Sequence, residues 1–154
     1  MERSGESSGK SLICQKIMAA AQQMGGLACY VDLESTFDPD FAAKLGVNVD
    51  ELIVSQPGNL QEAFTVVDQM IEAGVDVIAV DSIAALVPKE ELEAEVGKQT
   101  VGLVARYMSQ FLKRITKKLA DAGSILLCVN QTRQAIGVMY GDPTTTPGGK
   151  LSIV

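Results

Sequence analysis

The stretch Ser4-Gly5-Glu6-Ser7-Ser8-Gly9-Lys10-Ser11, which runs directly into Leu12-Ile13, decides the fold of this chain. Gly and Ser residues followed by Lys-Ser and an apolar helical pattern predict a phosphate-binding loop that opens a helix. Backbone N–H groups at such a turn converge on phosphate oxygens, and the helix N-terminus adds partial positive charge. Lys10 is expected to reach the outer phosphates and Ser11 to ligate Mg²⁺.

The loop departs from the usual G-x-x-x-x-G-K-[ST] pattern at one position. Ser4 stands where the first Gly is expected, and Gly5 follows one place later. A Ser fits there only where the backbone avoids positive φ or accepts strain. The alternative is a Gly/Ser-rich helix entry that binds nothing, but Gly-Lys-Ser before an apolar helix seldom arises by chance.

Composition predicts one α/β domain spanning residues 1–154. The chain is 47% hydrophobic but only 5% aromatic, and 154 residues are enough for a real core. No apolar run is long enough for a membrane span, and no signal peptide is evident. The absence of His excludes a His-based triad or zinc site. Three widely spaced Cys in apolar segments predict buried thiols in a reducing compartment, hence a cytoplasmic location.

Charge is divided unevenly along the chain. Residues 1–98 carry six Lys or Arg against 17 Asp or Glu, whereas residues 99–154 carry seven against two. A basic C-terminal third is where an anionic polymer would dock, although an ordinary solvated helix face gives the same pattern. Arg106, Lys113 and Lys117 share one face of the predicted helix over 101–122.

Strand and helix patterns alternate along the chain, which predicts a mostly parallel sheet flanked by helices. The predicted strands cover 27–34, 52–55, 75–81 and 124–131, and the predicted helices cover 10–24, 39–45, 60–73 and 101–122. The first helix carries Leu12, Ile13, Ile17 and Met18 on one side, and Asn59 should cap the third.

Both ends read as incomplete. A phosphate loop normally follows a buried strand, yet only residues 1–3 precede it, and the apolar segment 151–154 stops as it begins. We expect an incomplete copy of a larger domain, in which the absent strand leaves unpaired backbone groups in the core.

Several polar residues are predicted at the carboxyl edge of the sheet, where ligands gather in open α/β folds. Asp81 closes an apolar strand and suits the metal's water shell. Asp32 and Glu34 end another strand, and either could polarise a water for attack on the γ-phosphate. Gln131 ends the last full strand, where its amide can sense the γ-phosphate or cap the following loop.

Two loops remain. The long Gly- and Thr-rich loop over 132–149 contains one basic residue, Arg133, and long loops in compact domains are usually functional or mobile. The acidic segment over 90–95 lacks calcium-loop spacing and is interpreted as a solvated surface.

Further motifs, in order, resemble the RecA family of DNA recombinases over residues 4–150. Besides the phosphate loop they are Asp32-Leu33-Glu34, Phe37-Asp38-Pro39, Val80-Asp81-Ser82, Arg106-Tyr107-Met108-Ser109-Gln110, Asn130-Gln131 and Ile136-Gly137-Val138-Met139-Tyr140-Gly141. The resemblance implies a RecA-like P-loop NTPase core without the strand before the loop and without the C-terminal strands. It also implies an ATP- and Mg²⁺-dependent filament that assembles on single-stranded DNA and pairs it with duplex DNA in recombination, repair and the SOS response.

The resemblance also implies residue roles. Glu34 would activate the attacking water, Lys10, Ser11 and Asp81 would hold phosphate and metal, and Gln131 would couple the γ-phosphate to DNA. Asp38 and Phe41 would contact adenine. The DNA contacts would be Val101, Gly102, Arg106, Ser109, Lys113, Arg133, Ile136, Gly137, Gly148 and Gly149.

Departures from the family pattern leave a second hypothesis open. Ser4, Phe41, Ala135 and Pro147 differ from the usual residues, and the parts that complete the ATP site and the filament from a neighbouring subunit are absent. The chain is therefore either a DNA-dependent ATPase core or a non-hydrolysing module that modifies full-length filaments. A hexameric helicase or clock-type ATPase would share the fold but not these loop motifs.

Overall fold

The computed structural model describes residues 9–85 and 103–130, together with the backbone of two short strands at 133–134 and 144–145. Its helices are α1 (Lys10–Gln23), α2 (Pro39–Lys44), α3 (Leu60–Glu72) and α4 (Leu103–Ala122), with a 3-10 turn over Ile83–Ala85. Its strands are β1 (Ala28–Asp32), β2 (Ile53–Ser55), β3 (Val77–Asp81), β4 (Ile125–Cys128), β5 (Arg133–Gln134) and β6 (Thr144–Thr145).

Four strands form one parallel sheet in the order β2-β1-β3-β4, which confirms the predicted fold class. β3 pairs with β1 on one edge and with β4 on the other. β2 and β4 are the two edge strands of the described sheet, so in it β4 pairs on one side only, with β3. Within the predicted 132–149 loop, β5 and β6 form a short antiparallel ladder.

The sheet separates two cores, because alternate residues of a strand face opposite sides. Cys29, Val31, Ile78 and Val80 face α3 and α4. The residues between them in β1 and β3 face α1 and α2, and they include Ala28, Tyr30, Val77 and Ala79. β1 and β3 are buried along their whole lengths, as continuous apolar runs in parallel sheets predict.

Local signals set the helix ends close to the predicted positions. The Asn59 side chain accepts a 2.9 Å hydrogen bond from the Glu62 amide and caps α3 as predicted. Gly25, Gly74 and Gly123 follow helices and have positive φ, the conformation in which glycine is favoured.

The apolar side of α1 is buried only in part. Met18 is fully buried, but Leu12, Ile13 and Ile17 are 40%, 57% and 36% exposed. The buried residues of α1 are Cys14, Gln15, Met18 and Ala19. The side of the helix that packs in the core is therefore rotated relative to the side that carries Leu12, Ile13 and Ile17. No helix in the described part of the chain is both long and apolar enough to cross a membrane.

Candidate functional site

Gly9 is the first residue of the predicted phosphate loop that the structure describes. It caps the N-terminus of α1 with φ of +72°. An added Cβ there would meet no atom within 4 Å, so the backbone conformation, rather than lack of space, demands glycine. Gly5, Glu6, Ser7 and Ser8 lie outside the described residues. Gly9 therefore marks the start of α1, and Lys10 and Ser11 lie in its first turn.

Lys10 lies across the carboxyl end of the sheet. Its Nζ donates a 2.7 Å hydrogen bond to the backbone carbonyl of Asn130, just beyond β4. Gln131 is the next residue, but it lies outside the described residues. The ammonium group is therefore held at the sheet edge where the sequence predicts phosphate.

Ser11 and Asp81 are brought together, as the sequence predicts. The Ser11 hydroxyl donates to Oδ2 of Asp81, and the Tyr30 hydroxyl donates to the same oxygen over 2.5 Å. Asp81 ends β3 and is only 8% exposed. A hydroxyl and a carboxylate, with no nitrogen or sulfur donor, make an oxygen donor set of the kind Mg²⁺ prefers, so these residues fit the implied ion.

The two acids that follow β1 have different environments. Asp32 is 1% exposed, and its carboxylate accepts hydrogen bonds from the amides of Thr36 and Phe37 at 3.2 and 3.0 Å. It also accepts from Gln56 Nε2 at 3.1 Å. Both oxygens of Asp32 thus hold the 33–37 turn in place, whereas Glu34 is exposed on that turn.

The turn carries backbone strain next to Glu34. Ser35 has φ of +53°, a left-handed conformation that non-glycine residues seldom adopt. Such strain persists where surrounding contacts over-determine it, as the three hydrogen bonds to Asp32 do here. The strained turn fixes the position of the Glu34 backbone at the sheet edge.

The predicted adenine contacts lie together at the start of α2. Asp38 Oδ1 accepts a 3.0 Å hydrogen bond from the Phe41 amide and so caps this helix. The Phe41 side chain is 43% exposed. An exposed aromatic ring beside a carboxylate offers a stacking face and an acceptor.

The cations of α4 divide into those that pair with described acids and those that do not. Lys118 bridges Asp68 and Glu72 of α3 at 2.8 and 2.9 Å, and these hydrogen bonds raise the pKa of Lys118. Lys117 pairs with Asp121 at 3.2 Å. Arg106, Ser109 and Lys113 are exposed, and no described acid forms an ion pair with either cation of this trio.

All three thiols are kept protonated by their surroundings. Burial raises the pKa of Cys29 to about 12. Burial, followed by the nearby Asp81 charge, raises the pKa of Cys14 to about 11, and burial with proximity to Cys14 raises that of Cys128 to about 12. No group of three or more potential metal-ligating side chains occurs in the described ranges.

The remaining predicted DNA contacts are not described at side-chain level. Arg133 contributes only its strand backbone. The others lie outside the described residues, as does the 90–95 acidic segment; they are Val101, Gly102, Ile136, Gly137, Gly148 and Gly149.

Three groups that form hydrogen bonds in the site were not predicted from the sequence: the Tyr30 hydroxyl, the Gln56 side chain and the Asn130 carbonyl. A tyrosine inside an apolar strand was the one available signal, because a buried hydroxyl usually has a partner.

Comparison with known proteins gives a consistent result. The RecA N-terminal domain family matches residues 3–152. Protein RecA of Bifidobacterium breve is 51% identical over 146 residues, which cover 94% of this chain and 37% of the relative. Protein RecA of Thermus aquaticus is 51% identical over 146 residues, covering 94% and 43%. That of Kineococcus radiotolerans is 50% identical over 146 residues, covering 94% and 42%. The chain thus spans about two fifths of the length of these curated relatives.

Proposed function

Because the chain belongs to the RecA family through its N-terminal domain, we propose that it is an ATP-dependent recombinase core. It would bind ATP with Mg²⁺ and single-stranded DNA and act in homologous pairing and strand exchange, in the cytoplasm. The observation that carries this proposal is the convergence of Lys10, Ser11 and Asp81 at the carboxyl edge of the parallel sheet. Cation, hydroxyl and carboxylate there suit a magnesium-bound triphosphate.

The nucleotide would lie along this edge from α1 to α2. Lys10 would exchange the Asn130 carbonyl for a phosphate oxygen, which carries a negative charge and is therefore the stronger partner for an ammonium group. The Ser11 oxygen would hold Mg²⁺, and Asp81 would hold a water of its shell; the bound ion would supply positive charge against the phosphates. Phe41 would stack on adenine, with Asp38 beside it.

Glu34 is the residue that we assign as general base. It would accept a proton from water as the water oxygen bonds to the γ-phosphorus and the bond to ADP breaks. Asp32 stands in the same sequence motif, but its carboxylate is occupied by three donors from the protein itself. Glu34 is exposed on the 33–37 turn, where a substrate at the sheet edge can reach it. Gln131 would report the γ-phosphate to the DNA loops.

The DNA strand would lie along the exposed side of α4, where Arg106 and Lys113 reach phosphates without competition from described acids. Sequence-independent binding of this kind relies on the backbone charge of the strand. Family membership also supports self-association of the chain in a helical filament and pairing with duplex DNA.

Hydrolysis of ATP by the 154-residue chain tests the proposal directly. We expect magnesium-dependent ATP binding by calorimetry and phosphate release that single-stranded DNA stimulates. Glu34→Gln should abolish release and leave binding intact. Binding without any release would instead support a non-hydrolysing module, and the absence of ATP binding by folded protein would refute the nucleotide site.

A further inference from the structure

Tyr30 belongs to β1, and its side chain reaches the candidate metal site from the sheet itself. Its side chain is 2% exposed, and its hydroxyl donates a 2.5 Å hydrogen bond to Oδ2 of Asp81. In the β1–β3 register Tyr30 is opposite Ala79, two residues before Asp81. Residues two apart share a face of the sheet, so Tyr30 and Asp81 both face α1.

We propose that Tyr30 is a positioning residue that orients the Asp81 carboxylate for the Mg²⁺–nucleotide site. This inference rests on the proposed function. Two hydroxyl groups, those of Ser11 and Tyr30, donate to the same oxygen, Oδ2. With Oδ2 fixed from both sides, the carboxylate cannot rotate freely, and its other oxygen is set for a water of the metal shell.

The surroundings of Tyr30 suit a fixed donor. Tyr30 is buried, and its hydroxyl has the Asp81 carboxylate as its hydrogen-bond acceptor. The ring contacts Phe37 with a centroid distance of 5.1 Å. Phe37 in turn donates its amide to Asp32, which holds the turn that carries Glu34. Tyr30 therefore lies between the metal-shell acid and the segment that carries the proposed base.

Tyr30→Phe tests this role, because it removes the hydroxyl and keeps the ring against Phe37. We expect Mn²⁺ affinity, measured by electron paramagnetic resonance with a non-hydrolysable ATP analogue, to fall roughly three- to tenfold, which is less than the full effect of losing a hydrogen bond to a charged group, because Tyr30 acts on the metal only through Asp81. Nucleotide affinity in EDTA should not change. Tyr107→Phe, the same chemical change on α4, should alter neither quantity.

Unchanged metal affinity in Tyr30→Phe, with the wild-type chain binding Mn²⁺ and nucleotide, would overturn the positioning role alone. Failure of the wild-type chain to bind the metal–nucleotide pair would instead remove the proposed function.

A double-mutant cycle with Asp81→Asn provides a second measurement without ligand. Urea unfolding should show that Tyr30→Phe costs less stability in the Asp81→Asn background, since the hydrogen bond to a charge is already lost. Equal costs in both backgrounds would contradict the inference.

Discussion

Lys10 and Asn130 are joined by a hydrogen bond of 2.7 Å between the lysine ammonium and the asparagine backbone carbonyl. The bond connects the first turn of α1 to the residue that follows β4 by two positions. A phosphate oxygen offers the same ammonium a full negative charge rather than a carbonyl dipole, which adds the attraction between two opposite charges. Phosphate binding would therefore displace the carbonyl.

Lys10→Ala should weaken the binding of magnesium–ATP roughly ten- to hundredfold, the effect of losing a hydrogen bond between charged groups. Isothermal titration calorimetry measures the affinity. Lys16→Ala is the matched control, because Lys16 is an exposed residue of the same helix, away from its N-terminus. Equal affinities for the Lys10 and Lys16 variants would place the phosphate site elsewhere.

Neutralising Asp32 should destabilise the protein much more than neutralising Glu34. Asp32→Asn disturbs a buried carboxylate with three donors and should lower the free energy of unfolding by about 2–3 kcal/mol. Glu34→Gln changes an exposed residue and should alter stability by less than about 0.5 kcal/mol. Urea unfolding of the two variants measures both values. A stable Asp32→Asn protein that no longer hydrolyses ATP would move the catalytic role to Asp32.

The sequence predicts the elements of this fold well because their signals are local. β3 is a continuous apolar run, and Gly25, Gly74 and Gly123 mark helix ends within the chain itself. The buried side of α1 was harder to predict, because Leu12, Ile13 and Ile17 are more apolar than Cys14 and Gln15. Which side meets the sheet depends on where the tertiary structure places the helix.

The candidate site could likewise be predicted only in part, where local sequence signals exist. Lys10, Ser11 and Asp81 belong to motifs with recognisable spacing. The Tyr30 contact depends on which strand lies beside β3, and the Lys10 contact is made to a backbone atom. Residue types alone do not reveal which strands are neighbours or which backbone carbonyl accepts a hydrogen bond. Both contacts could therefore be found only in the structure.

Stability should fall in alkaline solution because of the buried thiols. Burial raises the pKa of the Cys29 thiol from its ordinary value of 9.0 to about 12. Between these values the unfolded chain loses a proton that the folded chain keeps, which favours unfolding. The contribution of Cys29 is therefore complete below pH 9 and is lost as pH rises toward 12.

Urea unfolding between pH 8 and pH 10.5 under reducing conditions should reveal this loss, at most about 1.4 kcal/mol per pH unit for each fully titrating thiol. Cys29→Ala lowers stability overall through its cavity, but its stability should decline less steeply with pH than that of the wild type. Identical slopes would show that Cys29 does not titrate abnormally.

Salt dependence separates the cations of α4 that would contact DNA from those that hold the fold. Arg106→Ala should lower the slope of log affinity for single-stranded DNA against log salt by about 0.7, the value for one lost phosphate contact. Lys118→Ala is the matched control on the same helix, because Lys118 already binds Asp68 and Glu72. Its slope should equal that of the wild type. Fluorescence anisotropy of a labelled oligonucleotide at several salt concentrations gives all three slopes. A wild-type slope in Arg106→Ala, or an equal loss in Lys118→Ala, would show that DNA does not follow the exposed Arg106–Lys113 side of α4.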